Sequence, residues 1–224
     1  YVDELRKIVE SGELGEVYHI YCSFRDCRRI PGMGGWFTEK KYSGGGVLID
    51  WGVHYIDLIL YILGNPDICT VSGKAFCKLG SPMKDYVFEN MWAGPPNYDG
   101  VYDVDDSVTG FVRTSGPTIS LNGAWAQNIG ESECFIDFLG TKGGARLQYG
   151  KEFTLTQTAD GKVVHHTPEI SAPDMFYAEI DAFLDSVETR EKNRANIDRV
   201  LITQKILNGI YDSSTKNREI VFPS

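Results

Sequence analysis

Several features are missing from this chain, and each absence closes off a class of function. The 224 residues contain no Walker, HExxH or GxSxG pattern. That removes the common routes to nucleotide hydrolysis, zinc proteolysis and serine hydrolysis. A dinucleotide-binding fingerprint is missing too. GGGVLID (44–50) lacks the GxGxxG spacing and has no strand immediately before it. GTKGG (140–144) lies between two strands, so it cannot aim a helix N-terminus at a phosphate. Positive charge is scarce: Lys and Arg number 22 against 31 Asp and Glu, a net charge of −9. Nucleic acid and anionic membrane are thereby excluded as main partners, since both select for clustered Lys and Arg. The densest basic group is Arg25, Arg28 and Arg29. No CxxC pair occurs among Cys22, Cys27, Cys69, Cys77 and Cys134. An odd count without paired spacing favours reduced thiols and a cytoplasmic location over a disulfide framework. No apolar run reads as long and charge-free enough to span a bilayer. No signal peptide is visible, because Tyr1 opens directly into an amphipathic helix. That opening, without an initiator Met, reads as a segment of a longer polypeptide.

What is present is ordinary for a globular protein: 42% hydrophobic and 24% charged residues. The length supports one substantial core over 1–224 without disulfides or metals. Val2, Leu5, Ile8 and Val9 recur at helical spacing, and Gly12 and Gly15 end that helix. EVYHIYCSF (16–24) alternates and is rich in aromatic and β-branched residues, so it reads as a strand. A loop (25–36) leads to GGGVLIDWGVHYIDLILYILGNP (44–66), one long helix with Ile49, Val53, Ile56, Leu60 and Leu63 on its apolar face. ICTVSGKAF (68–76) is a strand, and 78–104 is a long loop, a length that is functional or mobile in compact domains. From Asp105 the period becomes two. DSVTGFVRT, TISLNGAWAQN, ECFIDFLG, ARLQY, EFTLTQT and VVHHT read as successive antiparallel hairpin strands. Two helices follow, the first with Phe176, Ile180, Phe183, Leu184 and Val187 on one face, the second capped by Asn196. REIVF (218–222) is a last strand. The order is that of an α+β fold.

The long helix raises the main chemical question, because Asp50, His54 and Asp57 interrupt an otherwise apolar element. Asp50 and His54 are four residues apart and face the same way on a helix. Such a pair can hydrogen-bond and fix the imidazole tautomer, giving a general acid or base that works near neutral pH. The same pair can merely satisfy backbone groups of nearby loops, and the residues alone leave both readings open. A metal site built from His54 with Asp50 and Asp57 is a third reading; a lone His with two Asp seldom defines one. His165 and His166 are adjacent in a strand and face opposite ways, as an exposed strand pair does. Arg25 and its neighbours could grip a carboxylate or phosphate, or be a solvated loop. Trp36 and Tyr42 could wall a ligand site, or be packing. Tyr86, Phe88, Trp92 and Tyr98 could cap a substrate or meet a partner subunit.

The pattern GGG–x3–D–x3–H–x2–D, followed by an apolar helix and LG–x–P, resembles the C-terminal domain of the Gfo/Idh/MocA oxidoreductases. ELRKIVESGELGEVYHI, VDDSVTGFV, FIDFLGTKGGARL and the ending FYAEIDAFLDSVETREKN…ILNGIYDSSTKNREIVF extend that resemblance over nearly the whole chain. It implies a large, mostly antiparallel open sheet with helices on one face, the fold of the glyceraldehyde-3-phosphate dehydrogenase-like C-terminal domain. It also implies hydride transfer between NAD or NADP and a sugar, polyol or related carbonyl compound. Asp50 and His54 stand at the family's catalytic positions, His54 moving the hydroxyl proton and Asp50 orienting substrate and base. Arg25, Trp36 and Asp57 are candidates for substrate contact, and Gly45 and Gly46 for the closest approach of the cofactor. The family's Lys and phosphate-binding glycines belong to an N-terminal Rossmann domain that these 224 residues do not contain. No cofactor is therefore expected on this chain alone. Further partners implied are that Rossmann domain and a second copy, in a homodimer or homotetramer joined through the open sheet face. The alternatives are a non-catalytic binding or assembly module of the same fold, or the metal enzyme above.

Overall fold

The structure, a computed structural model, describes residues 1–171 and 173–223. Nine strands form one sheet in the order β8-β7-β6-β5-β1-β4-β3-β2-β9. They are β1 (Val17–Arg25), β2 (Ile68–Phe76), β3 (Ser107–Thr114), β4 (Thr118–Ala124), β5 (Glu133–Gly140), β6 (Gly143–Gln148), β7 (Phe153–Ala159), β8 (Lys162–His166) and β9 (Ile220–Val221). Every pairing is antiparallel except β1 with β4, where Ile20 stands beside Ile119 and Phe24 beside Gly123. The sheet is thus two meanders joined through β1, and the expected large, mostly antiparallel open sheet is present.

Alternation decides which face is covered. Ile20, Cys22 and Phe24 of β1, Ile119 and Leu121 of β4, and Ile136 and Phe138 of β5 are buried on one side. Helix α1 (Val2–Glu10) leads into the sheet and the short α2 (Lys40–Ser43) precedes the glycine run; α3 (Val53–Ile62) and α5 (Ile197–Lys216) lie on the covered face. Gly209 and Ile210 of α5 close on Val71 and Gly73 of β2. The other face carries Tyr21, Ser72, Lys74, Phe111, Ser120 and Asn122 around a shallow depression. Its rings are partly covered by guanidinium groups, Arg146 over Phe135 at 4.0 Å and Arg113 over Phe111 at 5.0 Å.

Four expectations need correction. The long helix is not uniform: a π-helical turn, Leu48–Gly52, precedes α3. The Val53 N–H reaches back five residues to the Leu48 carbonyl, which inserts one residue into the turn. Second, the helical stretch Lys40–Ile62 is long and apolar enough, by length and composition alone, to cross a membrane. Since 56% of its apolar window is buried inside the molecule, it serves as a core helix. Third, helix α4 (Met175–Thr189) does not bury the apolar face that its spacing gives it. Phe176 and Phe183 are 74% and 61% exposed, and Ile180, Leu184 and Val187 are also in water. Its N-terminus is closed by Asp174, whose Oδ1 accepts from the Phe176 and Tyr177 amides. Fourth, Asn196 occupies the N-cap position of α5 without a side-chain cap; its amide donates back to the Asn193 carbonyl.

The glycine run before the π turn has a local cause. Asp105, 6% exposed, receives the amides of Gly46 (2.8 Å) and Leu48 (3.0 Å) on its carboxylate. Its carbonyl takes the Val47 amide at 2.9 Å, and the Tyr211 hydroxyl donates to its Oδ1 at 2.8 Å. Three otherwise orphaned amides at a helix start are thereby satisfied by one residue. A Cβ at Gly46 would overlap the Asp105 backbone, and one at Gly45 would overlap the Tyr211 hydroxyl.

Candidate active site

The π turn and the start of α3 set out Asp50, Trp51, His54 and Tyr55 in succession. With Cys134 of β5 and Tyr149, which follows β6, they line a cleft of about 310 Å³. Cys134 and Tyr149 lie on the covered face of the sheet, level with the helix. The cleft therefore lies between the core helix and the β5–β6 half of the sheet.

Asp50 is half-buried and accepts the Trp125 indole N–H on Oδ2 at 2.9 Å. Trp125 has no exposed surface, and a buried indole needs such a partner. Burial pushes the Asp50 carboxyl above its usual range; the Trp125 hydrogen bond and the nearby His54 ring pull the other way without cancelling it. The expected Asp50–His54 hydrogen bond is absent among the described residues. Asp50 is instead held by Trp125, and His54 is left exposed at the cleft with its ring free to meet a ligand. Beneath them Phe24, Tyr55 and Tyr149 stack at centroid separations of 5.0 and 4.5 Å. Burial raises the Tyr55 hydroxyl and the Cys134 thiol above their ordinary ranges.

The other sequence candidates separate. Asp57 points away from the cleft, and its Oδ1 accepts from the Thr203 hydroxyl of α5 at 2.8 Å. Its role is to join two helices, so the candidate substrate contact at Asp57 is corrected. Among the described residues no three His, Cys, Asp or Glu side chains converge on a point that could hold a metal. Asp50, His54 and Asp57 therefore do not form the metal triad considered above. Arg25 stands on the open face of the sheet, opposite the cleft, paired with Glu133 at 2.7 Å; the expectation that it grips a substrate is corrected too. Gly45 and Gly46 are closed over by Tyr211 and Asp105, so their lack of side chains serves this chain's own packing. Trp36, 59% exposed, stays on the Asp50 side. It touches Phe37, which touches Trp125, at 5.0 and 5.8 Å between ring centroids.

Trp125, Tyr149, Tyr55 and Cys134 were not picked out as site residues. The one usable signal was that a buried Trp on an inward strand position must find an acceptor for its N–H. Tyr149 and Cys134 carry no local signal, since only the β5–β6 pairing brings them to the helix.

The Asp50 geometry has a consequence for stability. At low pH the carboxyl is protonated in both the folded and unfolded chain. As pH rises the unfolded chain ionises first, so the stability contributed by this group declines until the raised folded value is passed. Asp50→Asn removes that penalty, and its amide oxygen can still accept the indole N–H. The expected melting temperature at neutral pH is at or above that of the wild type. A loss of more than about 1 kcal/mol would show instead that the charge stabilises the fold.

The family model described as GFO/IDH/MocA C-terminal domain matches residues 2–146, and the chain belongs to this family. It is 30% identical over 223 residues to D-glucoside 3-dehydrogenase of Escherichia coli (strain K12), covering 94% of this chain and 58% of that protein. Among solved structures, an oxidoreductase domain protein from Kribbella flavida superposes with a TM-score of 0.80 at 17% identity, over 100% of this chain and 64% of that one. Levoglucosan dehydrogenase in complex with NADH and levoglucosan superposes with a TM-score of 0.74 at 17% identity, over 98% of this chain and 62% of that one. The chain thus spans about three fifths of the length of the proteins it resembles.

Proposed function

We propose that this chain is the substrate-side, catalytic domain of an NAD(P)-dependent oxidoreductase acting on a sugar, polyol or related carbonyl compound. The observation that carries this is the shared cleft of Asp50 and His54, with His54 exposed to it. In the oxidative direction His54 takes the proton from the substrate hydroxyl. Asp50, anchored by Trp125, orients that hydroxyl and the developing imidazolium. The cofactor, when bound, supplies the hydride acceptor. A rigid helix holds both groups, which suits a geometry that must be kept within fractions of an ångström. A non-catalytic module of the same fold would not need either residue to face a cleft.

We read no dinucleotide cradle among the described residues, because Gly45 and Gly46 close on Tyr211 and Asp105. The pyrophosphate grip is assigned to a further Rossmann domain. Two observations support that assignment: the chain covers 58% of the glucoside dehydrogenase, and the apolar face of α4 is left unpartnered. Exposed apolar surface of that extent marks an interaction site. The 224-residue chain is accordingly expected to bind NAD or NADP weakly or not at all by calorimetry. Micromolar binding by this chain would sink the assignment.

The open sheet face is proposed as a self-association surface, giving a homodimer or homotetramer. Its small residues Ser120 and Asn122 permit flat packing of a second sheet. Light scattering is expected to report more than a monomer mass at micromolar concentration; a monomer would count against the surface. A cytoplasmic location accords with five free cysteines.

A further inference from the structure

Two of the four tryptophans of the chain stand at Asp50. Trp51 follows it and lines the cleft, and Trp125 bonds its carboxylate. Trp36 and Trp92 stand further out, on either side of Phe37. They meet its ring edge-on at 5.0 and 5.1 Å, with interplanar angles of 73° and 76°. Phe37 in turn lies 5.8 Å from the Trp125 ring. An unbroken line of rings therefore runs from Asp50 through Trp125 and Phe37 to two indoles that are 59% and 66% exposed.

These indoles do not sit on loose chain. Segment 78–104, which carries Trp92, is fastened at its start by Asp106, whose Oδ2 accepts the amides of Lys78, Leu79 and Gly80 at 2.6, 2.6 and 2.9 Å. It is fastened again beside Trp92. The Ala93 amide bonds the Pro31 carbonyl at 2.8 Å, and the Asn97 amide bonds the Met33 carbonyl at 2.7 Å. Gly34 and Gly100 press backbone to backbone, and a Cβ on either would overlap the other segment. Loop 31–36 and the segment behind Trp92 are thus zipped together, holding both indoles in place.

Leaving two large rings in water on fixed backbone forgoes burial free energy that the fold could have taken. The arrangement suits a ligand whose flat, weakly positive C–H face meets the negative face of an aromatic ring. A pyranose has such a face, and an aryl group meets the indoles offset or edge-on. Two rings of protein, Trp125 and Phe37, separate this surface from Asp50. What stacks there is therefore not the ring being oxidised.

We propose that Trp36 and Trp92 form an outer subsite that stacks the second ring of a two-ring glycoside whose first ring is presented to Asp50 and His54. The inference rests on the sugar oxidoreductase reading above, and names the substrate as a glycoside with a glycosyl or aryl substituent.

Indole N–H resonances of the 224-residue chain, assigned with Trp36→Phe and Trp92→Phe, are followed on titration with cellobiose, phenyl glucoside and glucose. The Trp36 and Trp92 signals are expected to move with the two-ring probes and to stay still with glucose. Movement with cellobiose alone makes the second ring a sugar; movement with phenyl glucoside alone makes it an aglycone. Silence with all three probes, or equal movement with glucose, overturns the subsite. In the full-length enzyme Trp92→Ala is expected to raise KM for the two-ring substrate by roughly three- to tenfold, the size of one lost ring contact. The KM for glucose and both kcat values should hold, and Trp92→Phe should restore most of the loss. Equal loss on one-ring and two-ring substrates would make the indole structural. A full-length enzyme that oxidises none of these sugars would overturn the proposed function itself. One that oxidises glucose with no response from either indole overturns only the subsite.

Discussion

In the full-length enzyme, His54→Ala is expected to slow hydride transfer by roughly 10²- to 10⁴-fold, the usual contribution of a positioned acid–base group. His54 is exposed at the cleft and the described residues give it no structural hydrogen bond, so its removal should leave the fold intact. Cofactor affinity should barely change, because the pyrophosphate grip is proposed to lie in the further Rossmann domain. Asp50→Asn should also slow the reaction, since an amide keeps the shape and the Trp125 contact but cannot stabilise an imidazolium. Asp57→Asn should matter far less to turnover, because Asp57 is spent on Thr203. Single-turnover measurement at saturating cofactor separates these. If His54→Ala transfers hydride at the wild-type rate across roughly pH 6 to 9, the imidazole is not the acid–base group.

Gly46→Ala is expected to cost about 3 kcal/mol of stability, a large effect for one methyl group. The new Cβ would occupy the place of the Asp105 backbone. Relieving the overlap would pull Gly46 and Leu48 off the Asp105 carboxylate and unseat the start of the π turn. Gly130→Ala is the control: it has nothing within 4 Å and should stay within about 0.5 kcal/mol. Chemical denaturation of both variants tests the pair. Equal midpoints would mean that the Asp105 clamp is slack.

How much of this was legible beforehand varies with the range of the interaction. Alternation in TISLNGAWAQN puts Ile119 and Leu121 on one face and Ser120, Asn122, Ala124 and Ala126 on the other; the first two are buried and Ser120 and Asn122 partly exposed, but Ala124 and Ala126 are buried as well. Strand alternation is a property of neighbouring residues and survives in the sequence. The helix pattern likewise located Asp50 and His54 on one side of a core element. The π turn was not legible, because one inserted residue leaves the apolar spacing nearly unchanged while altering the bonding beneath it. Nor was the bond from Trp125 to Asp50, whose partners lie 75 residues apart. Asp105 and Asp106 carry no local signal of their role: both are buried and spent on backbone amides, which adjacent carboxylates in a sequence do not announce. For α4 the spacing was read correctly and its meaning was not. Periodicity shows which face is apolar, never what covers it.

The position of β1 in the middle of the sheet has a kinetic consequence. Its neighbours are residues 118–124 and 133–140, so it remains unpaired on both edges until about a hundred further residues have been made. Pairings that distant in sequence pay their loop-closure cost before any contact repays it, which makes sheet closure a late event. The cleft obeys the same timetable. Its helix lies between β1 and β2, Trp125 follows the last strand of one meander, and Cys134 and Tyr149 belong to the other. One meander lines the cleft and the other anchors Asp50 through Trp125, so the nascent chain acquires the complete site only when both have docked on β1.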